Sequence, residues 1–224
     1  MMTKKKSILS DQRVIVLLVI LALVVIYMIF SKEFRQYSSI LSMLDFSYYD
    51  VLMAIGVTFP LITAGVDLSI GTGMVCYALI AGRLIRDHNV PVVVAMLICI
   101  LLGCIVGLVN GILIGVMGLP PFLATLCTCM ITRGISSMIM ATPWPTTKQP
   151  GGWFHSIFKL TFGTGRQATK IPIGFVLVVV LVLVMEFVLN HTKFGRYTIA
   201  IGSNKEAITL SGVNVKFYHV MDYV

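Results

Sequence analysis

The chain has 224 residues, of which 58% are hydrophobic and only 12% charged, and its formal net charge is +8. Soluble domains carry about 25% charged and about 45–50% apolar residues, so this composition excludes an ordinary water-soluble domain and points to an all-α, polytopic helical membrane protein. The positive charge does not indicate nucleic-acid binding, because the basic residues are spread over the segments between apolar runs.

Residues 1–13 form an N-terminal tail with Lys4, Lys5, Lys6 and Arg13. The run "VIVLLVILALVVIYMIF" (14–30) is longer than the ~7–15 apolar residues of a secretory signal, and no small-x-small cleavage site follows it. It reads as an uncleaved first span with a cytoplasmic N-terminus. A helix needs ~20 apolar residues to cross ~30 Å of hydrocarbon. On that basis six crossings are expected, at about 14–30, 50–65, 68–86, 91–117, 121–141 and 171–190. Residues 14–190 then form the transmembrane part, with an external loop at 142–170, and residues 191–224 form a cytoplasmic segment. Charge supports this orientation only in part. Lys193, Arg196, Lys205 and Lys216 make the final segment basic, yet Lys148, Lys159, Arg166 and Lys170 make the outer loop equally so. If residues 50–86 were one broken crossing, every later loop would change sides.

The stretch around Asp67 sets an acid among Gly65, Gly71 and Gly73 inside an apolar region. The carboxylate can cap a helix start by accepting from free amides of its first turn, and the glycines let the backbone turn and pack closely. Two readings are open: two spans joined by a very short connection, or one helix interrupted at membrane depth. Irregular backbone at that depth must be buried in protein or border a water-filled cavity, and transporters place sites at such breaks. Asp67, Ser69 and Gly71 are therefore candidates for the translocation path or for the break itself.

In the fourth run Gly103, Gly107, Gly111 and Gly115 recur every four residues, a smooth ridge that lets another backbone approach closely. Asn110 lies beside it, either bonded to a neighbouring helix or lining a polar path. Arg133 sits deep in the fifth run, where an arginine costs about 2.5–3.5 kcal/mol on insertion scales. It is expected to face protein or a wet cavity, clamping carbonyls of a broken helix or joining the path. Trp144 and Trp153 belong to "TPWPTTKQPGGW", at the headgroup level or on a partner surface. Glu186 falls near the inner end of the last run, close enough to reach the interface. The five cysteines (Cys76, Cys99, Cys104, Cys127, Cys129) lie in apolar runs as small hydrophobes, and their spacing suggests neither a disulfide framework nor a metal site.

The final segment is different. Ser203 and Glu206 fit an S-x-x-E capping box, predicting a short helix with Ala207, Leu210 and Val213 along one face and Gly212 as its stop. Such a helix is too short to cross a bilayer. It either lies at the interface or docks into a groove of a cytoplasmic partner.

Three segments, "GVDLSIGTG" (65–73), "LPPFLATLCTCMITRG" (119–134) and "FGRYTIAIGSNKEAITLSGVNV" (194–215), resemble the permease subunits of bacterial ABC importers for sugars, of the ribose/xylose/galactose/autoinducer-2 type. The resemblance implies a multi-pass protein of the bacterial inner membrane with its N-terminus and residues 191–224 in the cytoplasm. It also implies a coupling helix over about Ser203–Val213 that contacts an ATPase, with Gly202, Ser203, Asn204, Glu206, Ala207, Leu210, Ser211 and Gly212 as contact candidates. The implied partners are an ABC-type ATPase, a second permease subunit and an extracytoplasmic sugar-binding protein. No GxxxxGK[ST] occurs in the chain, so it is expected to bind no cofactor itself, with ATP and Mg on the partner. That family runs to about ten spans of ~20 residues each, so this chain is expected to be a partial version, cut after the coupling segment.

The expected function is the permease subunit of an ATP-driven importer of a monosaccharide or similar small polar solute, not an enzyme. The alternative is an ion-coupled secondary transporter, which needs several acids or histidines at mid-membrane. Asp67 and Glu186 are the acids expected at membrane depth, both near span ends. An intramembrane enzyme is disfavoured, because His88, His155, His191 and His219 are all expected in loops, with no paired nucleophile and base in the spans.

Overall fold

The computed structural model describes residues 12–139, 159–162 and 169–224. Two compact units divide the chain, Met1–Phe46 and Ser47–Val224. The first contains α1 (Gln12–Phe30) and the start of α2 (Tyr37–Ile62). Between these helices the Phe34 amide donates to Ser31 Oγ at 3.2 Å, and Tyr27 stacks on Phe34 with ring centroids 5.6 Å apart. Almost every side chain of α1 from Ile15 to Phe30 is exposed, which is ordinary for a helix whose solvent is lipid and whose backbone bonds are satisfied internally.

Helix α2 begins at Tyr37 rather than near residue 50. The Ser, Tyr and Asp residues of 37–50 lower the local hydropathy, but no glycine or proline interrupts the chain before Gly56, so the helix extends through them. Asp45 and Asp50 consequently lie within a helix long and apolar enough to cross a membrane. The acids on the apolar helices thus include Asp45 and Asp50 beside Glu186, whereas Asp67 lies in the turn outside them.

In the second unit α3 (Ser69–His88) and α4 (Val92–Gly111) form an antiparallel pair, and α4 continues as a π turn (Ile112–Val116). Asn89 takes the left-handed conformation (φ 53°) that closes α3. Ala81, Ile85, Val92 and Ala95 then pack as a small buried cluster at that end of the pair. Helix α5 (Pro121–Ile139) packs along α3. Strands β1 (Lys159–Phe162) and β2 (Thr169–Pro172) pair antiparallel, with Lys159 opposite Pro172. They add a strand pair to the otherwise helical architecture, at the end of the expected outer loop, with Ile171 and Pro172 of β2 falling inside the expected last span. Trp144, Lys148, Trp153, His155 and Arg166 lie outside the described residues. Four helices close the chain: α6 (Ile173–His191), α7 (Lys193–Ser203), α8 (Lys205–Leu210) and α9 (Val215–Tyr223). Among the described residues, α2, α4 with its π turn, α5 and α6 are long and apolar enough to cross a membrane, and α1 is a shorter apolar helix.

The direction of α3 resolves the two readings of the Asp67 stretch. Gly56 of α2 faces Ile70, and a Cβ at Gly71 of α3 would stand 3.9 Å from Met53 Sδ. The chain therefore doubles back at residues 63–68, which are a turn between two long helices rather than a gap in one crossing.

The glycine ridge of α4 is divided between two partners. Gly103 faces the Tyr77 ring of α3, 3.7 Å from where a Cβ would sit. A Cβ at Gly107 would meet the backbone of Tyr223, one at Gly111 would stand 2.7 and 2.8 Å from the carbonyl oxygen and Cα of Val220, and one at Gly115 would stand 3.0 Å from His219 Cβ. As the number rises on α9 it falls on α4, so α9 lies antiparallel to α4 along the ridge. At 1.5 Å per residue, this nine-residue helix follows α4 from its π end towards its middle over about 13 Å. Backbone contact of this closeness is what small residues permit between helices in lipid.

Candidate functional site at the turn between two helices

The turn at residues 63–68 is held from two sides. Towards α4 and α5 it meets a chain of hydrogen bonds. Asp67 Oδ1 accepts from the Ser69 amide at 2.8 Å and from Ser69 Oγ at 2.7 Å. Ser69 Oγ accepts from Asn110 Nδ2 at 3.0 Å, and Asn110 Oδ1 accepts from Thr128 Oγ1 at 2.9 Å. The direction of the bonds is internally consistent: because Ser69 gives its proton to a carboxylate, it must accept from the Asn110 amide, which leaves the Asn110 oxygen for Thr128. Thr125 Oγ1 donates to Val66 O at 3.1 Å, and the hydroxyls of Thr72 and Thr132 meet at 2.8 Å. Asn110 and Thr125 are 0% exposed. Three helices and the turn are thus joined by a polar seam, buried at Ser69, Asn110, Thr125 and Thr128 and half-exposed at Asp67.

Helix α5 explains how the seam forms. Thr125, Thr128, Thr132 and Ser136 are all buried, and their three- and four-residue spacing places them on one helical stripe. Carbonyls of the preceding turn lie within reach of the same hydroxyls as alternative acceptors, and Ser136 Oγ donates to one, Thr132 O, at 2.8 Å. The opposite face, with Phe122, Leu123, Met130, Ile131 and Met138, is exposed. The helix is polar inside and apolar outside, the inverse of a soluble amphipathic helix. Sequence reasoning missed this stripe, although the spacing of hydroxyl residues in an apolar run carried the signal.

On its other side the turn rests on α7 and α9. Gly202 of α7 abuts the carbonyl of Ile62, and the Tyr223 hydroxyl of α9 lies over Gly65. Thr198 Oγ1 donates to Asp222 Oδ1 at 3.1 Å, linking α7 to α9, and Thr198 is 0% exposed. Phe194 adds ring contacts to Phe59 of α2 at 5.9 Å and to Tyr218 of α9 at 6.0 Å.

The sequence candidates separate into two sets. Asp67, Ser69 and Asn110 come together in the seam, and Gly71 packs beside it against Met53. Asp67 does hold an amide of the first turn of α3, but from one position earlier than expected: Leu68 is the N-cap residue and contributes no side-chain bond. Arg133 does not join them. It is exposed on α5, and among the described residues its guanidinium has no hydrogen bond or ion pair, so the expected clamp on carbonyls of the break is not made there. Glu186 is likewise exposed on α6. His219 is not in a loop but on α9, 8% exposed against the glycine ridge.

The coupling candidates cluster on and around α8. The expected capping box is displaced by one residue. Ser203 ends α7 and its hydroxyl bonds back to Ile199 O at 3.1 Å, while Asn204 is the N-cap of α8, accepting from the Ala207 amide at 3.0 Å. Two good capping residues stand side by side here, and α7 runs on through the first. Gly212, at φ +84°, stops α8 as expected, beside Ser211, whose hydroxyl donates to Ile208 O at 2.7 Å. Glu206 and Ala207 are exposed, and Leu210 is 89% exposed. Val213 lies beyond the end of the helix.

Comparison with known proteins follows the same segments. Residues 39–224 match the family model of the branched-chain amino acid transport system permease component. The ribose import permease protein RbsC of Haemophilus influenzae is 29% identical over 207 residues, covering 92% of this chain and 62% of that protein. The galactose/methyl galactoside import permease protein MglC of Salmonella typhimurium is 31% identical over 223 residues, covering 93% of this chain and 64% of that protein. The fructose import permease protein FruG of Bifidobacterium longum is 31% identical over 172 residues, covering 75% of this chain and 50% of that protein. The chain therefore spans less than two thirds of the length of these relatives. No solved structure matches. With most of its length matched and its seam, ridge and short capped helix all inside the matched region, the chain belongs to the transport-system permease family that these import permeases represent.

Proposed function

We propose that the chain is the membrane-spanning permease subunit of an ATP-binding-cassette importer in the bacterial inner membrane, with its N-terminus cytoplasmic. The solute is a monosaccharide or similar small polar molecule, as the names of the relatives suggest for those proteins. A separate ATPase with its ATP and Mg, a second permease subunit and an external binding protein complete the machine. This chain performs no ATP chemistry of its own.

The observation that carries the reading is α8. A six-residue helix capped by Asn204 at one end and turned by Gly212 at the other presents an isobutyl group, Leu210, almost wholly uncovered. An apolar knob on a short rigid helix suits insertion into a groove of another protein. Its supports, α7 and α9, rest on the turn of residues 63–68. A displacement of α8 therefore has a solid route to the packed helices, as ATP-driven alternation of a pore requires.

Co-purification with the ATPase encoded alongside the chain tests this. The double substitution Ala207→Arg and Leu210→Arg is expected to reduce ATPase recovery at least about tenfold, the scale on which apolar anchors at an interface count, while the permease still inserts. Undiminished recovery would contradict the proposal. Uptake that persists in ATP-free vesicles under a proton or sodium gradient would favour the ion-coupled alternative.

A further inference from the structure

Helix α3 stands in a row between α2 and α5. Its Thr72 hydroxyl lies 2.8 Å from that of Thr132 on α5, while its Ile70 lies against Gly56 and its Gly71 faces Met53 on α2. Ser69, bonded to Asn110, takes the side of α4. The fourth flank of α3 is bare: Val75 is 49% exposed and Ala78 is exposed. Two charges border it. Arg133 is exposed on α5 and Asp50 on α2, and neither ion pair among the described residues includes them. Their levels agree. Arg133 is one residue past Thr132, Thr72 one past Gly71, and Asp50 three from Met53 in the direction away from the turn. At 1.5 Å per residue both charges lie within about 5.4 Å, one helical turn, of the same depth. Their rotation agrees too. The fixed points are Met53 and Gly56 on α2, and Thr128 and Thr132 on α5, which face α4 and α3. Counted from these at about 100° per residue, both side chains turn to the bare flank. Within one chain they cannot meet, because α3 separates their helices by two interaxial spacings of roughly 8–10 Å each.

We propose that a second copy of the chain docks on this flank, face to face about a two-fold axis along the membrane normal, with Arg133 of each copy paired to Asp50 of the other. This rests on the reading of the chain as one of two permease subunits. A charge in a membrane span faces protein or water and pairs there rather than meeting lipid. A two-fold axis along the normal preserves depth and makes every contact reciprocal. Two opposite charges at one depth, on either side of α3, are what that symmetry needs, and Val75 then falls at the axis against its own copy. Ala54, exposed one turn from Asp50 on α2, lets a neighbouring helix approach closely. Glu186 is not a rival acid on this flank, because α6 reaches α2 at Tyr48, about 160° round that helix from Asp50.

The test is made on the full chain in native membranes, with its five cysteines replaced. Two differently tagged versions are co-expressed, one carrying Asp50→Cys and one Arg133→Cys. A disulfide bridges Cα atoms up to ~7 Å apart, less than an extended arginine and a carboxylate span, so a bifunctional thiol reagent is the probe. The control replaces Arg133→Cys by Ile131→Cys, also exposed on α5 but turned about 160° away. Cross-linked dimer carrying both tags should form at least about tenfold more with Arg133→Cys than with the control. Equal yields would overturn the contact. So would modification of both cysteines by a small hydrophilic thiol reagent without cross-linking, the result for the wall of a water-filled path. In nanodiscs Arg133→Asp should weaken dimerisation at least about tenfold, because like charges then oppose each other, and adding Asp50→Arg to the same chain should restore it. An exchanged chain that inserts but stays at the Arg133→Asp level would overturn the pair. A parent chain that is monomeric by mass would overturn the second copy. A dimer without the cross-link would overturn this flank and leave the two-subunit reading standing.

Discussion

The two sides of the residue 63–68 turn are built on opposite terms. Towards α4 and α5, Asp67, Ser69, Asn110 and Thr128 form a chain in which each donor finds an acceptor. Towards α7 and α9, the turn and its flank meet bare backbone at Gly202 and a ring hydroxyl over Gly65, and three buried side-chain atoms, His219 Nε2, Asp222 Oδ2 and Tyr223 OH, lack partners among the described residues. A saturated network has a single favoured arrangement and resists change. An unsaturated one has unused bonds to form in another arrangement. The seam thus anchors α3 to its neighbours, and the contact with α7 and α9 is the side on which movement costs least.

The largest expected effect comes from blocking the ridge. A methyl group at Gly111 would stand 2.7 Å from the Val220 carbonyl oxygen, and backbone cannot step aside as a side-chain tip does. Gly111→Ala should destabilise the chain by about 1–3 kcal/mol, the usual range for overpacking. At Gly134 nothing lies within 4 Å, so Gly134→Ala should stay within about 0.5 kcal/mol, as an uncrowded surface change does. Unfolding in graded denaturing detergent would measure both, and similar losses for the two would contradict the close approach of α9.

A smaller loss is expected from cutting the seam. Asn110→Ala strips Ser69 Oγ of its donor and Thr128 of one acceptor. Membrane hydrogen bonds average only about 0.6 kcal/mol each, so the two should together cost about 1–2 kcal/mol including the polar groups left behind. Because the seam holds α3 rather than α8, ATPase recovery should be unchanged in this variant. Loss of ATPase binding would show that the two sides of the turn are not separable.

The helices themselves were legible, because long apolar runs announce spans and lipid demands little else of a sequence. The start of α2 was not: Tyr37, Ser38, Ser39, Asp45 and Asp50 lower hydropathy without lowering the tendency to remain helical. The ridge at Gly103–Gly115 announced that something docks there. It did not say that Tyr77 takes one end and α9 the other, since docking depends on how the chain returns and not on local pattern. Asn110 and Asp67 were recognisable as a buried amide and a helix-start acid, but Asp222 stood in a segment expected to be cytoplasmic, where an acid attracts no notice. Asn204 rather than Ser203 became the cap because α7 continued one residue further than the S-x-x-E pattern implied, and the hydroxyl of Ser203 found Ile199 O instead.

The account depends on α8 standing at the cytoplasmic face with its apolar knob covered by another protein. The most direct measurement replaces Cys76, Cys99, Cys104, Cys127 and Cys129, introduces one cysteine as Lys205→Cys beside the Asn204 cap, and labels it with a membrane-impermeant thiol reagent. The proposed arrangement predicts labelling in inverted membrane vesicles, suppression when the ATPase is added, and none in intact cells. Strong labelling from outside intact cells would contradict it.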